Sequence, residues 1–216
     1  MTRTKPSKSR YKRPARAKAL IPLLDQEPDP LRKKLLLLGY VTDRLEKESE
    51  SVFLVGGQAV ETYTAGQFTT GDVDITTTDA KKTMKILANI GFKRIGMIWL
   101  SERLGLAVHI VGMSPPNPEK TRTIEVGPYN VRLVGVEDLI LDRLAAAKFW
   151  NSTRDMEQAK ALYSNFLEQI DSDYLKTKAK EKNVADALRQ TILGRVIGAD
   201  KGRVKPFTED DRGQDR

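Results

Sequence analysis

Hydrophobic residues change their period along the chain, and the changes divide it into elements. Leu31, Leu35, Leu38 and Leu45 fall on one face of a helix. Asp29 stands before it as a cap, and Pro30 takes the first helical position. After a polar link at 47–51, Val52, Phe53, Leu54 and Val55 form an unbroken apolar run of buried-strand type. Gly56 and Gly57 stop that run and let the backbone turn. A short helix is predicted over 58–65, with Ala59 and Tyr63 on one face and Gly66 closing it. Residues 72–75 read as the returning strand. Side chains alternate along a strand, so Asp72 and Asp74 point to the same side.

Thr76, Thr77, Thr78 and Asp79 supply caps for a helix over 80–90, which Gly91 ends. Residues 92–99 are read as one strand and 106–111 as another, nearly all apolar. A proline-rich loop follows at 113–120, and 121–126 with 130–134 form a hairpin around Gly127-Pro128. The rest is helical, over 136–150, 154–167, 173–181 and 184–196. Glu137 and Asp138 open the first of these and Lys148 lies near its end, as the helix dipole favours. The pattern predicts an α+β chain. A mixed α/β unit at 20–135 carries a small mixed sheet with flanking helices. A helical bundle follows at 136–197, then a frayed polar tail at 198–216. A cleft is expected between sheet and bundle.

Charge changes this picture at one end only. The net charge is +8, yet residues 1–19 hold eight basic residues and no acid, which leaves 29 of each sign elsewhere. The basic residues are Arg3, Lys5, Lys8, Arg10, Lys12, Arg13, Arg16 and Lys18. Self-repulsion and few apolar residues predict a disordered arm. It is either a phosphate-contacting arm for nucleic acid, through Lys5, Lys8, Arg10, Lys12, Arg13, Arg16 and Lys18, or a solubilising tail. With 39% hydrophobic and 31% charged residues the chain is of soluble globular type. No apolar run approaches the about 20 residues that span a membrane, and the basic start lacks an apolar signal core. Zero cysteines exclude disulfides and thiolate metal sites, and a single histidine excludes histidine-rich zinc sites. A cytoplasmic location is expected.

The candidate chemistry lies in 52–75. Two carboxylates on one strand face, beside a glycine turn that opens a helix, make a site for a metal and a triphosphate. A DxD triplet or a glycine pair alone is also a common strand end or turn. Other single residues have ordinary structural readings. His109, between Val108 and Ile110, reads as a hydrogen-bonded core histidine. Arg143 reads as a surface ion-pair partner and Asp155 as a helix cap. Trp99 and Trp150 are read as packing residues.

These residues resemble the nucleotidyltransferase superfamily of DNA polymerase β-like fold. The pattern is similar to that of minimal prokaryotic members, including AbiEii-type toxins of toxin–antitoxin systems. Gly56, Gly57, Ala59, Tyr63, Thr70, Asp72 and Asp74 match the first motif. Glu137, Asp138, Leu139, Ile140, Arg143, Leu144, Ala145, Ala146, Arg154 and Asp155 match the second. The resemblance spans about 50–167 and implies Mg²⁺- or Mn²⁺-dependent transfer of a nucleoside monophosphate to an RNA or protein hydroxyl, a tRNA end included. The metal would sit on Asp72 and Asp74. Gly56, Gly57, Gln58, Thr70 and Arg143 would bind the nucleoside triphosphate, and Asp155 would orient Arg143 or the acceptor. A cognate antitoxin or a second copy is an implied partner. Two motif positions depart: Phe68 replaces an arginine, and Gly57 replaces a serine used by some members. The family's third carboxylate is absent from the 106–111 strand, where His109 takes its place, and Glu125 on the next strand is the other candidate. The alternative implied function is a degenerate fold member that binds nucleotide or nucleic acid without catalysis.

Overall fold

Leu20 and Leu24, four apart and fully buried, anchor a first helix, α1 (Ala17–Gln26), against the second. The computed structural model describes residues 17–114 and 116–197. Of the basic arm, Lys5, Lys8, Arg10, Lys12, Arg13 and Arg16 lie outside the described residues, and Lys18 falls in α1. The next helix, α2 (Pro30–Glu46), starts where predicted: the Asp29 carboxylate accepts from the backbone N–H groups of Leu31 and Arg32.

There follow β1 (Val52–Leu54), α3 (Gly56–Tyr63), β2 (Val73–Thr77) and α4 (Ala80–Asn89). Next come β3 (Lys93–Ile95), β4 (Ile98–Ser101), β5 (Leu106–Gly112), β6 (Arg122–Val126) and β7 (Tyr129–Leu133). The last helices are α5 (Val136–Phe149), α6 (Thr153–Phe166), α7 (Ser172–Glu181) and α8 (Ala185–Ile197). One seven-stranded mixed sheet runs β3-β4-β5-β2-β1-β7-β6, with β2 parallel to β5 and β1 parallel to β7.

Two element readings need correction. The stretch 92–99 is a hairpin, β3 and β4, rather than one strand. Its two-residue turn begins at Gly96, whose φ of +63° suits the first central position of such a loop. Helix α3 begins at Gly56, so the diglycine is its first turn rather than a stop before it. Its end is as expected, since Gly66, at φ +85°, donates its N–H back to the Glu61 carbonyl at 2.8 Å.

The burial of β2 alternates strictly. Val73, Ile75 and Thr77 are buried, and Asp74 and Thr76 face the other way. The Thr77 hydroxyl meets that of Thr83 on α4 at 2.9 Å, so the buried face of β2 is the face that α4 covers. The opposite face carries Asp74 into the cleft. One hydrophobic cluster runs through both halves of the chain, from Leu20 to Leu188. Tyr63 of α3 stacks edge-on against Phe166 of α6 and donates its hydroxyl to the Val134 carbonyl. Among the described residues, no helix is long and apolar enough to cross a membrane.

Candidate active site

The buried strand β1 delivers the chain to Gly56, which adopts a φ of +61°. A Cβ at this position would lie 2.5 Å from the Oδ2 of Asp74, so backbone and carboxylate are in close approach. The N–H of Gly57, one of the free donors of the first helical turn, faces the Asp74 carboxylate and favours its charged form. Diglycine turn and acid therefore meet at one point.

Asp72 lies just before β2, in irregular backbone. The Thr70 hydroxyl donates to its Oδ1 at 3.4 Å. His109 is the register partner of Asp74 on the parallel strand β5. Its Nδ1 stands 3.4 Å from Asp74 Oδ1, and its Nε2 is buried with no hydrogen-bond partner among the described residues. One donor atom each from Asp72, Asp74 and His109 fall within 4.8 Å of one another. His109 is thus not a core residue; it forms part of the cleft wall beside the two acids. Burial raises the pKa of Asp74, and the Asp72 charge raises it further; the Gly57 N–H and His109 partly offset this.

The site opens into a cleft of about 930 Å³ between the sheet and helices α5 and α7. Arg143 of α5 lines it and is held at 2.9 Å by Asp155 of α6. Its Nε is buried without a partner among the described residues. Asp155 does not cap its helix; Ser152 does, accepting from the Asp155 N–H. Around the rim, Lys182 pairs with Asp142 and Lys178 with Glu181. Tyr174 donates to Asp138.

Other candidate residues are placed elsewhere. Glu125 is on β6, separated from β2 by β1 and β7, about 14 Å across the sheet at the usual strand spacing. It does not supply the third carboxylate. Gln58 is fully buried, does not line the cleft, and neither of its amide atoms has a partner. Trp99 packs on the core as expected, but Trp150 is 81% exposed and lines the cleft, so it is not a packing residue. Sequence reasoning also passed over Lys34 and Glu61, a buried ion pair. Their only signal was charge inside otherwise apolar helix faces.

A search with protein-family models finds no match to this sequence, and curated proteins likewise yield none. Comparison of structures shows the fold. An antigenic nucleotidyltransferase-like protein from Paracoccidioides brasiliensis superposes with a TM-score of 0.58 at 14% identity, over 82% of this chain and 95% of its own. The chain therefore has a nucleotidyltransferase-like fold. Two more distant structures are ANT(2")-Ia in complex with adenylyl-2"-tobramycin and LnuA, a lincosamide antibiotic adenylyltransferase bound to lincomycin. The first has a TM-score of 0.47 at 14% identity, over 69% of this chain and 98% of its own. The second has 0.40 at 22% identity, over 58% and 93%.

Proposed function

We propose that this cleft binds a nucleoside triphosphate with a divalent cation and transfers its nucleoside monophosphate to an acceptor hydroxyl. The observation that carries this reading is the convergence of Asp72, Asp74 and His109 beside the Gly56-Gly57 turn, at the mouth of a large cleft. Two carboxylates suit Mg²⁺ or Mn²⁺. Asp72 and Asp74 would hold the cation, which neutralises phosphate charge as a Lewis acid. Arg143, steadied by Asp155, would bind a phosphate oxygen. The acceptor oxygen bonds to the α-phosphorus while the bond to the bridging oxygen breaks and pyrophosphate leaves. His109, with Asp74 beside its Nδ1, would take the acceptor proton. An RNA acceptor fits the charge of the arm, with Lys5, Lys8, Arg10, Lys12, Arg13, Arg16 and Lys18 on its phosphates.

One observation favours a second reading. The third donor is an imidazole and not a carboxylate, which suits a protein that binds a metal–nucleotide and does not turn it over. Incubation with each of the four α-³²P nucleoside triphosphates, Mn²⁺ and total RNA separates the two. Transfer of label with pyrophosphate release, lost in Asp72→Ala, is the expected result. Nucleotide binding with no pyrophosphate from any of the four, and transfer appearing in His109→Asp, would establish the binder instead.

The raised pKa of Asp74 predicts a pH signature. The folded chain holds this proton to higher pH than the unfolded chain does. Without metal, the contribution of Asp74 is therefore favourable below its unfolded pKa and is lost as pH rises through its folded pKa. A cation competes for the same oxygen. Mn²⁺ should raise Tm most above that window, and the increment should shrink as pH falls through it. Thermal scans from roughly pH 4 to pH 8 measure this; an increment independent of pH would remove Asp74 from the metal set.

A further inference from the structure

We propose that Lys34, Glu61 and Arg154 are positioning residues that hold Asp72 in register with Asp74. The inference rests on the metal-binding reading above. Asp74 is fixed by the sheet, since it lies within β2 and pairs with His109 on β5. Asp72 has no such support, because the backbone from 64 to 72 belongs to no helix or strand.

That backbone is gripped from outside. Lys34 on α2 and Glu61 on α3 are 7% and 3% exposed, and their charged atoms lie 2.9 Å apart. The Lys34 ammonium also donates to the Thr70 carbonyl at 2.6 Å. The Thr70 N–H donates to the same Glu61 oxygen at 3.3 Å. Both backbone polar groups of Thr70 are therefore held by the ion pair. The hydroxyl of that residue donates to Asp72. One residue upstream, the Thr69 carbonyl accepts from Arg154 of α6 at 2.8 Å. Helices α2, α3 and α6 thus converge on two consecutive peptide units, and the grip ends on a carboxylate of the site.

A pair buried to this degree is costly to desolvate, and an apolar pair of similar volume often serves stability as well or better. Stability alone does not account for its presence. Orientation of a metal-ligating side chain does, since such outer contacts commonly set metal affinity.

The test uses Mn²⁺ alone as probe, measured by the paramagnetic signal of the free ion, with Tm recorded without metal. The double variant K34M/E61L removes both charges together and so leaves neither buried alone. Its metal-free Tm should stay close to that of the parent, because Thr70 is half-buried and water can take over its two backbone groups, and its Mn²⁺ affinity should fall about 10- to 100-fold. Arg154→Ala, at an exposed residue, should weaken Mn²⁺ several-fold at unchanged Tm, and it decides the matter if the double variant does not fold. Parent-like Mn²⁺ affinity in a folded double variant, or in Arg154→Ala, overturns the positioning role. Absence of Mn²⁺ binding by the parent chain overturns the metal reading itself, a distinct outcome.

Discussion

Asp74→Asn should abolish transfer and at the same time stabilise the metal-free fold. The two effects share one cause. The surroundings of Asp74 disfavour its charge, through burial first and the neighbouring Asp72 second. A neutral isostere removes that penalty. The gain should be about 0.5–2 kcal/mol, the usual size of a single stabilising substitution. In a chain of this size it corresponds to a rise in Tm of about 2–4 °C per kcal/mol. The same change removes a charged ligand for the cation, and transfer should fall by about 10³-fold or more. Calorimetry without metal and the label-transfer assay read the two signs separately. A lower Tm would mean that the Asp74 charge is favourable to the fold, contrary to its raised pKa. Retained transfer would place the cation elsewhere.

Gly56→Ala should damage both fold and site, and Gly57→Ala should not. Gly56 sits at φ +61°, where an L side chain costs about 1–2 kcal/mol. Its new methyl would also meet Asp74 Oδ2 at 2.5 Å. Relief requires the carboxylate or the turn to move, so Mn²⁺ affinity and fold should weaken together. A loss of about 3 kcal/mol, or at least about 5 °C in Tm, is expected. At Gly57 the backbone is ordinary, and the nearest atom is the Thr70 hydroxyl at 3.3 Å, which can give slightly. The cost there should stay below about 1 kcal/mol. Equal effects at the two positions would contradict the close approach of the turn to Asp74.

The contrast between these neighbours was not legible in the residues. Both read as turn glycines, and the partner that makes only one indispensable lies on β2. His109 shows the same division. Its place between Val108 and Ile110 fixes which face of β5 it takes, because strand parity is local. Its register against Asp74 depends on two strands meeting across an intervening helix and hairpin. Glu125 misled for a related reason. It follows β5 in sequence, and successive strands often neighbour each other. Here β6 is the edge strand on the far side of β1 and β7. Helix α1 escaped notice because basic charge and Pro22 obscured two leucines that only packing on α2 makes decisive.

Helices, strands and the two acids beside a diglycine follow from interactions within a few residues: side-chain period, capping and allowed φ. Those are properties of the chain itself. Strand order, the His109 partnership and the grip of Lys34, Glu61 and Arg154 on Thr69 and Thr70 join residues tens of positions apart. They exist only once the core has closed, because a buried charge finds its counter-charge, and a carboxylate its neighbours, through packing and not through spacing along the chain.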